Sequence, residues 1–141
     1  MNVAIVGGRD FCDYKLMKES ILEYLKNKNI EISKIKNIVS GGAKGADKLG
    51  KDFADEFHIN AIIHPAEWDK YDKAAGYIRN KKIVEDADII FAFWDGKSKG
   101  TKHSIDLSKT TNKELCIIQY TNYSPIKDST ISTLEKLLKK N

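Results

Sequence analysis

A chain of 141 residues has the length of one ordinary domain, and 41% hydrophobic against 31% charged residues excludes a disordered segment or a membrane-embedded bundle. The formal charge of +4 is spread over lysines that share their helices with Asp and Glu, so the surface reads as solvated and nucleic acid is not expected as a partner. No apolar run approaches the roughly 20 residues of a membrane span. Asn2 to Val6 leads into Gly7-Gly8-Arg9-Asp10 without a basic region or cleavage site, which sets the expectation of a cytoplasmic protein with no membrane partner.

Val3-Ala4-Ile5-Val6 is a short β-branched run that stops at two glycines, the pattern of a buried strand ending in a tight turn. Met17, Ile21, Tyr24 and Leu25 then recur at helical spacing and predict a helix over 14–27. Cys12 and Cys116 are the two cysteines, far apart and without CxxC spacing, and the three histidines lack metal-ligand spacing. Neither a disulfide framework nor a metal site follows from them. Ile35 to Val39 reads as a second strand, closed by Ser40-Gly41-Gly42-Ala43-Lys44-Gly45. Ala46, Leu49, Phe53 and Phe57 mark a second helix, and Ile59 to Ile63 a third strand.

His64 to Lys73 reads as a polar loop carrying Trp68 and Tyr71, followed by a helix from Ala74 to Glu85. Asp88-Ile89-Ile90-Phe91-Ala92-Phe93 is the strongest strand, apolar throughout as a central strand covered on both faces must be. The loop Trp94 to Thr101, a weak helix at Lys102–Thr110, a fifth strand at Leu115–Gln119 and a last amphipathic helix on Ile131, Leu134, Leu137 and Leu138 complete the chain.

Strand alternates with helix throughout. The expectation is an α/β, Rossmann-like three-layer sandwich forming one domain over 1–141, with a mostly parallel five-stranded sheet in the order 3-2-1-4-5. That order places a crevice beyond the carboxyl ends of the first and fourth strands, where the direction of winding reverses.

Seven of the nine glycines, Gly7, Gly8, Gly41, Gly42, Gly45, Gly96 and Gly100, follow strands one, two and four, whose ends are neighbours in this order. Glycine lets backbone N–H groups approach a ligand, and each following helix aims its N-terminus at the same crevice, an arrangement suited to phosphate. Arginine adds to this, because the chain holds only Arg9 and Arg79 among abundant lysines and both fall in these segments. A planar, bidentate donor suits phosphate or carboxylate; the competing role is a structural ion pair. Trp68, Tyr71 and Trp94 are candidates to stack on a base or to cover the core. Asp10, Asp47 and Asp95 are candidates for ribose hydroxyls or for capping turns and helices. Ser40, Lys44, Asn80, Lys99 and Thr101 complete the candidate ligand-binding set, with no residue assigned as catalytic and no cofactor. Two patterns fail. Gly45-x-x-x-x-Gly50-Lys51 imitates a Walker loop but continues with Asp52, and no G-x-G-x-x-G follows the first strand.

Four segments together, Gly7-Gly8-Arg9-Asp10-Phe11, Ser40 to Asp47, Trp68 with Lys73 to Asn80, and Gly100-Thr101, resemble the YspA-like, YpsA-related branch of the SLOG superfamily over roughly residues 1–119. The resemblance implies a Rossmann-like fold that binds nucleotides or nucleotide-derived ligands. Relatives include the Lonely Guy phosphoribohydrolases and DNA-processing protein A, and many form dimers, so a homo-oligomer is expected. In the phosphoribohydrolases the last loop reads P-G-G-x-G-T-x-x-E, and its glutamate takes part in N-glycosidic cleavage. Here Trp94 to Lys99 replaces the proline-led glycine pair, and Ser104 stands in the glutamate's place. A transition state of oxocarbenium character loses that carboxylate. The leading expectation is a sensor or sequestering protein for a nucleotide such as an ADP-ribose derivative or nucleoside monophosphate. An N-glycoside hydrolase is the second reading, and a DNA- or protein-interaction module the third.

Overall fold

The computed structural model describes residues 1–121. The helix expected at about 129–139 lies outside the described residues. Five parallel strands form one sheet, β1 (Asn2–Gly7), β2 (Asn37–Ser40), β3 (Asn60–Ile63), β4 (Ile89–Trp94) and β5 (Glu114–Gln119), in the order β3-β2-β1-β4-β5. The expected topology is therefore the observed one. The connecting helices are α1 (Tyr14–Asn27), α2 (Ala46–Glu56), α3 (Trp68–Tyr71), α4 (Ala75–Asp86) and α5 (Lys99–Thr110). No helix among the described residues is long and apolar enough to cross a membrane.

Period-two alternation within the central strands explains the three layers. Val3 and Ile5 of β1, with Ile89, Phe91 and Phe93 of β4, face a core built with Met17, Ile21 and Leu25 of α1 and Phe53 of α2. Ala4, Val6, Ile90 and Ala92 face the opposite side, against Ile83 and Val84 of α4 and Ile105 of α5. Both faces of β1 and β4 are covered, which is why those runs are apolar without interruption. Each large aliphatic or aromatic side chain so enclosed contributes about 1.5–3 kcal/mol.

Local chemistry sets the element boundaries. α1 starts where the Asp13 carboxylate accepts the Leu16 N–H at 3.0 Å, and it ends before Asn29, which takes a left-handed conformation at φ 54°. The second strand starts two residues later than expected, because Ile32–Lys34 forms a 3₁₀ turn closed by Lys34 N–H to Glu31 O at 2.9 Å. The expected loop from His64 to Lys73 holds the one-turn helix α3 and a 3₁₀ turn at Asp72–Ala74. α5 starts at Lys99 and not at Lys102. Asp95 Oδ1 accepts the Lys97 and Ser98 N–H groups, each at 2.8 Å, and this turn delivers the chain into a helix at once, despite Gly100 in its first turn.

Candidate functional site

Beyond the carboxyl ends of β1 and β4 lies a cavity of about 470 Å³, within the range of small-molecule sites. Its wall takes Gly7, Gly8, Arg9 and Asp10 from the end of β1, Ala43 and Asp47 from the β2–α2 segment, and Arg79, Asn80 and Ile83 from α4. Asp95 and Ser98 come from the β4–α5 turn, and Gly100, Thr101 and Ser104 from the start of α5.

The β1 turn is held tightly. Gly8 N–H donates to Phe93 O at 3.2 Å and Phe11 N–H returns to Gly8 O at 3.2 Å. Phe11 stacks on Phe93 with ring centroids 4.8 Å apart and tilts against Tyr120 at the same distance. Such aromatic pairs add about 0.5–1.5 kcal/mol each beyond burial. Ala46 N–H also bonds Gly8 O, at 3.1 Å, so the start of α2 is sewn to this turn. Gly45 makes the approach possible: its φ of 75° disfavours a side chain, and a Cβ there would overlap the main chain of Gly8 and Arg9.

The two arginines act on the same place, the buried Asp47. Arg79 is partly buried; its Nη1 donates to Gly41 O at 3.1 Å and its Nε to Asn80 Oδ1 at 3.0 Å, which fixes the guanidinium plane. Burial lowers its pKa, and the attraction of Asp47 opposes that only in part. Arg9 is exposed and lies within electrostatic reach of both Asp47 and Arg79. Two like charges so placed favour a bound anion.

Three aspartates share the wall, and each is engaged by the protein. Asp10 Oδ1 accepts the Tyr120 hydroxyl at 2.6 Å. Asp47 Oδ2 accepts the Ala43 N–H at 3.1 Å, bracing the loop before α2. Burial raises the Asp47 pKa, and the hydrogen bond from Ala43 and the attraction of Arg79 and Arg9 oppose that only in part. The two turn N–H groups hold the Asp95 carboxyl below the usual carboxylate range. Asp95 thus forms the turn that leads into α5 and also stands in the cavity wall.

Helix termini enter unequally. α2 carries Asp47 in its first turn, and its first N–H is already bonded to Gly8. α5 has no acidic residue in its first turn and no side-chain cap, so its leading N–H groups lack intrahelical acceptors beside the cavity.

Of the twenty candidates, Gly7, Gly8, Arg9, Asp10, Asp47, Arg79, Asn80, Asp95, Gly100 and Thr101 meet in this wall. Gly41 stands behind it as the acceptor for Arg79, and Gly45 as the contact of α2 with the β1 turn. Trp94 is partly buried, packs on the α4–α5 side of the core and donates Nε1–H to Ser98 O at 3.0 Å. Ser40 is buried at the end of β2, with no partner for its hydroxyl among the described residues. Gly42, Lys44, Trp68, Tyr71, Gly96 and Lys99 are not in the wall; of these, Lys99 lines a neighbouring cleft. Sequence reasoning missed Val6, Ala43, Ile83, Ser98 and Ser104. Ser98 and Ser104 flank the noted Gly100-Thr101 pair, and helical spacing from Gly100 would have brought Ser104 to the same face.

The model of the YspA, cpYpsA-related SLOG family matches residues 1–71. The chain belongs to this family. The matched residues contain the β1 turn and the whole β2–α2 segment, so the SLOG signature covers half of the cavity wall and leaves out α4 and α5. Gene 61 protein of Mycobacterium phage D29 is 38% identical in an alignment of 72 residues that covers 47% of this chain and 58% of that relative. The chain therefore spans little more than half the length of this relative. The fold is also that of DNA processing protein A from Helicobacter pylori, solved for its single-stranded DNA binding mode, at a TM-score of 0.57 and 20% identity over 94% of this chain and 72% of that one.

This neighbour corrects the expectation that nucleic acid is no partner. The mild, dispersed charge was the ground for it, yet a protein of the same fold binds single-stranded DNA.

Proposed function

We infer that the cavity binds a phosphate-bearing nucleotide or nucleotide-derived ligand, and that the protein acts as its sensor or sequestering partner. One observation carries this reading: the chain's only two arginines, 70 positions apart in sequence, converge on one cavity that also presents the β1 turn and the open first turn of α5. Membership of the SLOG family supports a nucleotide-related ligand, and the likeness to DNA processing protein A extends the class to single-stranded nucleic acid. The phosphate sits between Arg9 and Arg79, with Asn80 and Thr101 as orienting polar groups. ADP-ribose and nucleoside monophosphates match the cavity volume.

Thermal unfolding against AMP, ADP-ribose, NAD, cyclic nucleotides and a short oligodeoxynucleotide tests the reading. A ligand at ~100 times its Kd adds ~2.7 kcal/mol of stability, which for this size raises Tm by roughly 5–10 °C. Unchanged melting with every ligand rejects it.

A second reading, N-glycosidic hydrolysis, is favoured by Asp47. A buried cavity carboxyl of raised pKa has the attributes of a general acid or of a stabiliser of developing positive charge. Release of free base and ribose phosphate from a nucleoside monophosphate, lost in Asp47→Asn, is its signature.

A further inference from the structure

A second, open cleft of about 500 Å³ runs between α4 and α5, walled by Tyr77, Lys99, Lys102, His103 and Asp106. Tyr77 is 50% exposed, an uncovered ring on the flank of a helix. The His103 ring packs against it in a T-shaped contact, with centroids 4.5 Å apart and planes at 70°, and half of the tyrosine remains open to solvent.

One amide joins this cleft to the main cavity. Asn80 Nδ2 donates to Gly100 O and to His103 Nδ1, both at 3.3 Å, so the neutral imidazole carries its proton on Nε2. Asn80 and Gly100 line the main cavity, while His103 lines the cleft. On α5 the cleft residues Lys99, Lys102, His103 and Asp106 form one stripe at i, i+3, i+4 and i+7. Gly100, Thr101 and Ser104 form the adjacent stripe, facing the main cavity. The start of α5 is thus the ridge between two hollows.

That ridge is lowest at Gly100, where a Cβ would meet nothing within 4 Å. Lys102 is paired with Asp106 at 2.8 Å, whereas Lys99, exposed beside the saddle, has no ion-pair partner among the described residues. A linking phosphate crossing at Gly100 would pass Lys99 and the open N–H groups of the first helical turn.

We propose that Tyr77 is the platform of a second subsite, which stacks a nucleobase joined through a phosphate across the Gly100 saddle to the group held in the main cavity. The preferred ligand then carries two nucleoside units. This rests on the main cavity being a nucleotide site.

Calorimetric titration of the full chain with AMP and with the 5′-phosphorylated dinucleotide pApA tests both levels. Base–aromatic stacking predicts that pApA binds on the order of 10-fold more tightly than AMP. Tyr77→Ala should abolish that advantage and leave AMP affinity within about twofold, while Tyr77→Phe retains it. Tyr77 is exposed, so the alanine variant is expected to fold, and its melting curve checks this. If AMP binds and pApA binds no better, or if Tyr77→Ala weakens both ligands equally, the second subsite is overturned and the main cavity stands. If neither ligand binds, the reading of the main cavity falls and the subsite with it.

Discussion

The Tyr120 hydroxyl donates to Asp10 Oδ1 at 2.6 Å, linking the residue that follows β5 to the turn that follows β1, 110 positions away. Tyr120 N–H is itself anchored to Trp94 O at 3.0 Å, so one residue ties β4, β5 and the β1 turn together at the cavity's edge. Burial and the Asp10 carboxylate both raise the Tyr120 pKa, so the phenol remains a donor across the neutral range. Tyr120→Phe removes this bond alone, and the exposed Asp10 is then rehydrated. The expected cost is about 1 kcal/mol, a fall in Tm of roughly 4 °C, read by calorimetry.

Gly8 sits under the same hydroxyl. A Cβ there would overlap Tyr120 Oη and lie 2.7 Å from Asp10 Oδ1, while the next tyrosine atom, Cζ, is 3.3 Å away. Gly8→Ala must therefore push the phenol aside, with a loss of about 1–3 kcal/mol typical of overpacking. In a Tyr120→Phe background the main obstacle is absent, so the alanine should cost less than half as much. A double-mutant cycle in urea measures this coupling, and additive effects would refute the steric account.

The arginines should separate stability from binding. Arg9 is exposed, so Arg9→Ala should change stability by no more than about 0.5 kcal/mol while weakening AMP about 10-fold or more, as loss of a charge-assisted phosphate contact does. Arg79→Ala strands the Gly41 carbonyl and removes a cation beside the buried Asp47. It should lose about 1–3 kcal/mol of stability as well as affinity. Arg79→Lys keeps the charge without the planar fork, and should recover only part of both.

Asp47 gives a pH signature. Its pKa is raised in the folded chain, so as pH climbs past the ordinary aspartate range the unfolded chain releases this proton first. Stability attributable to Asp47 therefore declines with rising pH until its folded pKa is passed, and is flat above it. Asp47→Asn retains an acceptor oxygen for the Ala43 N–H and removes the titration. Urea unfolding at pH 4, 5.5 and 7 should show the variant gaining on the wild type as pH increases. Anion binding should tighten, because a negative charge has left the wall; weaker binding would instead give the carboxylate a direct contact with the ligand.

What could be read in advance follows from the range of the interactions involved. The strand order and the pairing of β1 with β4 were legible because Val3 to Val6 and Ile89 to Phe93 are apolar on both faces, a pattern that only a doubly covered central strand requires. The two arginines were legible by their rarity. Trp68 and Tyr71 were placed near the ligand by their loop position, but α3 folds that loop into a turn outside the cavity wall, a local preference that composition does not reveal. Tyr77, Asn80 and His103 act as a unit only because α4 and α5 pack side by side, and no periodicity along one helix encodes its contacts with another.

Gly100 yields the sharpest test of whether the cavity exists for a ligand. In the first turn of α5 a glycine costs up to ~1 kcal/mol relative to alanine through backbone entropy. Its φ is not left-handed, and a Cβ there would meet no atom within 4 Å, so neither conformation nor packing demands glycine. Gly100→Ala should therefore stabilise the unliganded protein, raising Tm by about 2–4 °C. The new methyl projects over the saddle beside the main cavity, where a linked phosphate would cross. Binding of pApA should fall several-fold, with AMP affected less. A variant that is both more stable and an equal binder of pApA would show that the saddle is unoccupied in the complex.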